Sequence, residues 1–433
     1  MSVPTARSAF VRMFGSAVID QGLLSAASLL VGLLLIRQTA NEQYGYYVLV
    51  ANAFLLLTSL QNGFIGPAMV IRMTGMAREQ RGDLFGGLYR DQRTLILALV
   101  GGLVPVVLSL WYFGMLNGVT APLVLVALAA APLSLNRDFF RLVLLAHQQS
   151  ERVLWADMVY AVLLVLGVIV AARTASAAPV AVAAFGLAAL VGGLLLYRSL
   201  RAHCPWNPAG SPGILASIVP LGAWSVAGAA IHWTFSQGYS YVVAGVLDVS
   251  AVGALAATRL LMMPVNLLST GINSLMLPLT SNWLQELGVG AVIRRLALFA
   301  AGIGLAALGY FGLMWLLRDW IFSVVLRKDF ADRDRLLLMW SAIFLLMVMR
   351  DQLIPLLIAR ARFRVLTALT AFTAVLALAL SYRGMVHYGQ IGALLGMLVG
   401  EAVNLVGIVW LLLLERHRAA PPPEWIGVAP SRS

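Results

Sequence analysis

The sequence of 433 residues has little of what soluble enzymes and secreted proteins contain. Only 11% of its residues are charged, against about 25% in a soluble domain, which excludes a soluble enzyme and a disordered chain. The one cysteine, Cys204, excludes internal disulfides, and the five histidines are scattered. There is no Gly-Lys-Ser/Thr phosphate loop and no nucleophile with a base at a useful spacing. We therefore expect no enzyme activity, no cofactor and no metal.

Apolar residues fill the chain instead. They make up 61% of the sequence, and the mean hydropathy is +0.89. A transmembrane helix takes about 20 apolar residues, and twelve such runs follow one another. They lie near 14–36, 45–70, 94–114, 119–146, 153–172, 176–198, 214–246, 250–283, 293–317, 336–359, 364–382 and 389–414. The sequence predicts an all-α, polytopic membrane protein with about twelve transmembrane helices.

The basic residues indicate the orientation of the chain. They exceed the acidic residues by 12, and all but Lys328 are arginines. In a membrane protein such an excess marks cytoplasmic loops rather than a nucleic-acid partner, and we predict no nucleic acid. With the amino terminus inside, 19 basic residues lie on the inner side and eight on the outer side. This predicts that both termini are cytoplasmic, and it leaves Arg137, Arg259 and Arg350 unexplained inside spans.

The two halves of the chain repeat each other. A glycine near the start of span two, Gly45, returns in span eight as Gly253, 208 residues later. An Arg-Asp pair beginning at Arg137 in span four returns at Arg350 in span ten, 213 residues later. Such a parallel duplication is typical of transporters and predicts two pseudo-symmetric six-helix bundles, with the substrate path between them. The predicted divisions are an N-terminal bundle at 1–200, a cytoplasmic linker at 201–213, a C-terminal bundle at 214–415 and a loose cytoplasmic tail at 416–433.

Charged residues inside spans cost about 2.5–3.5 kcal/mol each on insertion scales, so they indicate a cavity or a buried pair. Those within the predicted spans are Asp20, Arg137, Asp138, Asp157, Arg259, Arg350, Asp351 and Glu401. Adjacent helical residues point about 100° apart, so we expect the guanidinium groups of Arg137 and Arg350 to stay free for other partners. The alternative is that these Arg-Asp pairs only pin helices together. The candidates for ion coupling, or for counter-ions to arginine, are Asp20, Asp138 and Asp351.

Span eight carries a polar stripe. Asn266, Thr270 and Asn273 follow Arg259 at spacings of 7, 4 and 3 residues, which places all four on one face of a helix. A polar stripe has little reason to face lipid. We interpret it as one wall of a cationic cavity, with Asn52 at a comparable place in span two. Structural hydrogen bonding between helices is the alternative.

Two segments resemble the polysaccharide flippases (Wzx-like) of the MOP exporter superfamily. In the first, IRQTANEQYGYY at 36–47, a short polar turn after span one leads into span two. The second, DVSAVGALAATR at 248–259, enters span eight in a similar way, and Pro264 and Pro278 after it also fit the pattern. With the span count and the repeat, the resemblance covers most of the chain.

The resemblance implies a flippase that moves a polyprenyl-pyrophosphate-linked oligosaccharide, of the undecaprenyl type, across the bacterial cytoplasmic (inner) membrane. Alternating access would serve the synthesis of a surface polysaccharide, either lipopolysaccharide or exopolysaccharide. The three intramembrane arginines would hold the pyrophosphate. The residues expected to bind sugar hydroxyls are Asn52, Asn266, Thr270 and Asn273. The lipid tail would stay among the membrane lipids, and a polysaccharide polymerase and glycosyltransferases are the protein partners implied.

Two other functions remain open at this point. A MATE-like cation or drug antiporter of the same superfamily should have a cavity of carboxylates and aromatic rings, with which three arginines compete. A non-transporting membrane scaffold of a polysaccharide assembly complex would not need the polar stripe in span eight. A major-facilitator carrier is disfavoured, because residues 75–83, GMAREQRGD, match the usual loop of that class poorly.

Overall fold

The computed structural model describes residues 6–73, 76–330 and 332–416, and helices dominate this part of the chain. The first half contains α1 (Ala6–Gln38), α2 (Asn41–Met73), α3 (Arg78–Tyr112), α4 (Thr120–Ala146), α5 (Ser150–Ala171) and α6 (Ala177–His203). The second half contains α7 (Ile214–Ser217), α8 (Val219–Val246), α9 (Val249–Leu260), α10 (Met263–Leu316), α11 (Arg318–Trp320), a π-helical turn (Ile321–Leu326), α12 (Arg333–Ala359) and α13 (Phe363–Arg416). The predicted all-α fold is confirmed. The predicted tail lies outside the described residues except for Arg416.

Nine helices of the described part are long and apolar enough to cross a membrane. Two of them, α10 and α13, have 54 residues each, which is about 80 Å of helix against about 30 Å of hydrocarbon. Each contains one glycine with a non-helical backbone, Gly288 (φ 74°) and Gly389 (φ 54°), a conformation that glycine adopts readily. Each long helix therefore crosses twice. With α8 added, the described helices supply the twelve predicted spans.

Side-chain contacts show that each long helix folds back on itself. The Tyr310 hydroxyl, in the second half of α10, donates a hydrogen bond to the carbonyl of Leu261, just before α10, at 2.8 Å. In α13 the Ser381 hydroxyl donates to the carbonyl of Ala393 at 2.7 Å, across the bend at Gly389. Both are antiparallel helical hairpins. Span eight is then α9 followed by the first half of α10.

The predicted correspondence between Gly45 and Gly253 takes the form of a reciprocal contact. A Cβ atom built on Gly45 in α2 would lie 2.0 Å from the carbonyl oxygen of Val249 in α9. One built on Gly253 in α9 would lie 2.2 Å from the carbonyl oxygen of Asn41 in α2. Asn41 and Val249 are themselves 208 residues apart, so each half presents the same pair of positions to the other, as a two-fold axis requires. Glycine at both positions lets the two helices approach this closely.

The segment 204–213, between α6 and α7, packs against α3. The side-chain amide of Asn207 donates to Asp83 at 2.5 Å. The carboxylate of Asp91 accepts from backbone N–H groups at the start of α7 at 3.0 and 3.2 Å. Helix α6 extends three residues into the predicted linker, so only the rest of 201–213 is a connection. The division of the chain into two bundles around it stays a prediction.

Candidate substrate cavity

A cavity of about 540 Å³ lies between helices of the two halves. Its walls come from α1, α2, α4, α5 and α6 on one side and from α8, α9, α10 and α12 on the other. The sequence-predicted residues that line it are Asn52, Arg137, Asp138, Arg259 and Asn266. Its aromatic lining includes Tyr47, Phe54, Tyr160, Phe185, Tyr239 and Phe344. The structure thus brings five of the ten predicted site residues together, where transporters built from repeats bind their substrates.

Arg259 reaches this cavity from the last turn of α9. Its Nη1 atom donates a hydrogen bond to Oε1 of Gln237 at 2.6 Å. Its guanidinium carbon lies 5.5 Å from the ring centroid of Trp340 and 5.8 Å from that of Tyr239. No carboxylate of the described ranges forms an ion pair with it, in contrast to the other arginines within the spans. An amide oxygen and two aromatic faces stabilise the charge without neutralising it, so Arg259 can still attract an anion.

The predicted polar face after Arg259 is present only in part. The helix is interrupted at residues 261–262, and α10 begins again at Met263. Pro264 lies in the first turn of α10, where its missing N–H costs nothing and its fixed φ favours a helix start. Helical spacing places residues on one face only while the helix is unbroken, and beyond the interruption only Asn266 still lines the cavity with Arg259.

The four residues predicted to bind sugar hydroxyls have different positions. Asn52 and Asn266 line the cavity, and the Asn52 side-chain amide donates to the Ser240 hydroxyl at 3.3 Å. Thr270 is exposed on α10 and Asn273 is half-buried, and neither is part of the cavity lining. The cavity therefore presents two of the four predicted side chains.

A buried ion network on α4 and α5 borders the cavity. Arg137 donates from Nη1 to Asp138 at 3.0 Å and from Nη2 to Asp157 at 2.5 Å. Its guanidinium carbon lies 3.7 Å from the ring centroid of Tyr160. The expectation of a free guanidinium group is wrong here. The 100° between neighbouring residues fixes the direction of the Cα–Cβ bonds, whereas the long arginine side chain bends back to the adjacent carboxylate and also reaches α5.

Arg141 extends the network to α1. Its Nε atom donates to Asp157 at 2.8 Å, and its Nη2 atom pairs with Asp20. The charge count placed Arg141 among the inner-side charges, whereas the structure places it one turn beyond Arg137 on α4, in contact with buried acids. Asp20 is therefore a counter-ion to arginine, which is one of its two predicted roles.

Arg350 and Asp351 form a second network, which does not line the central cavity. Arg350 donates from Nε and Nη2 to Asp351 at 3.0 and 2.8 Å, and from Nη1 to Glu401 at 2.6 Å. The side chains of Arg350 and Glu401 are 7% and 5% exposed. The guanidinium group of Arg350 is therefore not free either, and it could reach a substrate only by leaving a buried carboxylate behind.

The residues that sequence reasoning missed are the partners of the predicted ones. Asp157 and Glu401 were visible as carboxylates within spans, but no spacing joins them to the arginines 20 and 51 residues away. Gln237 is neutral and carries no sequence signal at all. These partners change the formal charge of each network, because with them the carboxylates outnumber the arginines by one. In the described residues no group of three or more His, Cys, Asp or Glu side chains could hold a metal ion.

Comparisons with known proteins find similar folds for nearly the whole chain and a family match for part of the sequence. Residues 144–332 match the sequence profile of a family described as polysaccharide biosynthesis protein. No curated protein sequence matches the chain. An inward-facing multidrug resistance MATE family transporter of the MOP superfamily superposes with a TM-score of 0.74 at 16% identity, covering 91% of this chain and 96% of its own. The lipid II flippase MurJ, in an inward closed conformation, superposes with a TM-score of 0.71 at 12% identity, covering 92% and 87%.

A third solved structure is a MOP superfamily transporter from Pyrococcus furiosus, described as having a binding pocket of reverse polarity. Its TM-score is 0.64 at 14% identity, with 94% of this chain and 95% of its own covered. The predicted resemblance to the MOP exporter superfamily is confirmed by these folds and by the profile match. The chain is a multi-pass membrane protein whose fold is similar to those of these MOP superfamily proteins. Since proteins of different named function share this fold, the substrate has to be argued from the cavity.

Proposed function

We propose that this protein flips a polyprenyl-pyrophosphate-linked oligosaccharide across the bacterial cytoplasmic membrane for surface polysaccharide synthesis. The observation that carries the proposal is Arg259, a cavity arginine with no ion-pair partner among the described residues. The match to a polysaccharide biosynthesis family and the likeness to a lipid II flippase support the same substrate class.

The chemistry of the cavity suits the part of such a substrate that lies next to the lipid. The planar guanidinium group of Arg259 can hold phosphate oxygens through charge-assisted hydrogen bonds. The side-chain amides of Asn52 and Asn266 can bind sugar hydroxyls, and the aromatic lining offers flat apolar faces. A volume of about 540 Å³ is within the usual range of about 300–1,000 Å³ for small-molecule sites. It suits a pyrophosphate and its first sugars, while the polyprenyl tail remains in the bilayer.

The paired arginines take different roles in this proposal. Arg137 borders the cavity, and it could contact phosphate by exchanging Asp138 for the substrate while keeping Asp157. Arg350 is assigned to helix packing with Glu401, outside the cavity. The anionic group would thus be held by one unpaired arginine with help from Arg137, rather than by three free arginines.

Alternating access requires that the contact between the two halves open and close. With both termini in the cytoplasm, the N-terminal ends of α2 and α9 lie on the outer side. In this orientation the reciprocal contact of Gly45 and Gly253 would close the outer side. For release outward, that contact has to separate while the substrate stays bound near Arg259.

The test is the variant Arg259→Gln in the native host. We expect the amount of surface polysaccharide to fall at least tenfold and the lipid-linked intermediate to accumulate. Arg259→Lys keeps the positive charge but loses the planar guanidinium group, and it should retain part of the export. The matched control is Arg383→Gln, an exposed arginine without an ion pair in the described part of the chain. Wild-type export by Arg259→Gln at normal protein abundance would contradict the proposal and would suit a non-transporting scaffold.

One observation favours a second candidate, a cation or drug antiporter. Each ion network has one carboxylate more than it has arginines, and Asp138 lines the cavity. A cation carrier would lose transport in Asp138→Asn and would keep it in Arg259→Gln, because removing a cavity arginine lowers the repulsion of a cationic substrate. The flippase predicts loss of export in Arg259→Gln, so the two variants separate the candidates.

A further inference from the structure

We propose a second binding site in this protein, for an anionic phospholipid, on the face of α4 that points away from the central cavity. A pocket of about 610 Å³ lies there between α3, α4, α6 and the segment 204–213. We call it the interfacial pocket. The residues that define it are Tyr89, Arg90, Arg93, Phe140, Tyr197 and Trp206. Helix α4 presents Arg137 and Asp138 to the central cavity, whereas its Asn136 and Phe140 line the interfacial pocket.

Four arginines without carboxylate partners surround the interfacial pocket. Arg90 and Arg93 line it, and Arg198 and Arg201 line the adjoining surface of α6. All four are exposed, and none forms an ion pair within the residues that the structure describes. The acidic residues at this end of α3 have other partners. Asp91 accepts hydrogen bonds from backbone N–H groups at the start of α7. The patch therefore carries positive charge that the protein itself leaves unbalanced.

Aromatic rings form the floor of the interfacial pocket. The ring of Tyr89 lies 5.1 Å from that of Phe140 and 5.5 Å from that of Trp206, measured between centroids, and Tyr197 lies 5.3 Å from Phe140. Tyrosine and tryptophan with arginine at the ends of transmembrane helices mark the level of the lipid headgroups. By the charge distribution, this end of α3 and α6 is the cytoplasmic one. The pocket thus lies at the inner membrane–water interface.

An apolar wall leads from the aromatic floor into the membrane. Leu97 on α3 and Leu190 and Leu194 on α6 line it, one to two turns deeper in the bilayer than the arginines, and they are 51%, 38% and 50% exposed. A molecule that fits both parts has phosphate at one end and hydrocarbon at the other. A free phosphate would leave the leucines unused. Basic pockets between helices on the cytoplasmic side bind phospholipid headgroups, and four arginines match a headgroup with two phosphates, as in cardiolipin.

The test uses the purified full-length protein in detergent. Cardiolipin is titrated, with thermal stability and the mass of the intact complex as the readouts, and with phosphatidylcholine and inorganic pyrophosphate as comparison ligands. We expect cardiolipin to raise Tm and to be retained in the intact complex, while phosphatidylcholine does neither. Any stabilisation by pyrophosphate, which the central cavity could also bind, should be the same in Arg93→Gln/Arg198→Gln as in the wild type. In Arg93→Gln/Arg198→Gln we expect the affinity for cardiolipin to fall about 25-fold, at roughly fivefold for each interfacial arginine.

The matched control is Arg294→Gln/Arg383→Gln, which removes two exposed arginines that are not part of the pocket lining. The control should bind cardiolipin like the wild type, and both double variants should retain the wild-type helix content, because the substituted side chains are exposed. Equal loss in the control would show general charge attraction and would overturn the proposal. So would unchanged binding by Arg93→Gln/Arg198→Gln. Stabilisation by pyrophosphate equal to that by cardiolipin, and lost in Arg93→Gln/Arg198→Gln, would also overturn it, because the occupant would then be a free phosphate.

Discussion

Arginines within the helices of this protein differ in what balances their charge. Arg137 and Arg350 each contact two carboxylates at 2.5–3.0 Å, whereas Arg259 contacts a neutral amide. An ion taken out of water costs several kcal/mol unless partners compensate. A structural arginine is therefore paired, and an unpaired one at a cavity is suited to a ligand. This difference separates the residues that hold the helices from Arg259, which we propose to bind substrate.

We expect Arg350→Gln to destabilise the protein by about 3–5 kcal/mol, because it leaves the buried carboxylate of Glu401 without its counter-ion. The double variant Arg350→Gln/Glu401→Gln should recover most of this loss, since it removes both charges. Thermal unfolding in detergent measures the effect, with exposed Arg383→Gln as the control. If Arg350→Gln unfolds at the same temperature as the control, the ion pair does not hold the helices together.

At the scale of helices, glycines decide where two elements can touch. The contact between α2 and α9 depends on Gly45 and Gly253, since a Cβ on either would overlap a carbonyl oxygen of the other helix. The sequence repeat predicted that these glycines correspond. Only the tertiary structure shows that each glycine contacts the other helix, with Asn41 and Val249 as the reciprocal partners.

We expect Gly45→Val to force α2 and α9 apart, at a cost of about 1–3 kcal/mol for overpacking. Gly253→Val should have a similar effect, because the contact is reciprocal. Spin labels on Glu42→Cys and Ser250→Cys, in a Cys204→Ala background, would report a longer distance between the two helix starts. The control is Gly102→Val, since a Cβ there meets no atom within 4 Å. An unchanged distance in both contact variants would argue against a glycine-dependent closure of the outer side.

At the scale of the whole molecule, this fold is shared by transporters of different named function, so the charges along the path have to select the substrate and its driving force. Each half carries one ion network, and in each the carboxylates exceed the arginines by one. A surplus carboxylate in the membrane is costly unless a cation joins it. Under the proposed function, each half is thus suited to take up one cation during the transport cycle.

We expect flipping of the lipid-linked oligosaccharide in proteoliposomes to fall at least fivefold when the driving cation gradient is collapsed, because the surplus carboxylates would couple the cycle to a cation. Collapsing the proton and the sodium gradients separately identifies the ion. Asp138→Asn, which removes a carboxylate at the cavity, should make the remaining rate insensitive to the gradient, while Asp319→Asn, on the exposed surface, should not. A wild-type rate that survives loss of both gradients would show that the substrate gradient alone drives transport.

Composition and periodicity alone determined the all-α membrane class, the twelve spans and the correspondence of the two halves. These follow from the length of hydrocarbon that a helix must cross, which local sequence satisfies residue by residue. Of the two hairpin bends, Gly288 lies between two predicted spans, and Gly389 is the first residue of the last one.

The tertiary structure decided what each intramembrane charge does. The sequence placed Arg137, Arg259 and Arg350 in the bilayer, and the resemblance assigned all three to the pyrophosphate. Docking of α5 against α4, and of the two halves of α13 against α12, paired two of them with Asp157 and Glu401 and left Arg259 facing the cavity. The physical reason is that the free energy of a buried charge depends on the groups close to it. Apart from the adjacent Asp138 and Asp351, those groups lie on other helices, 20 or more residues away in the chain.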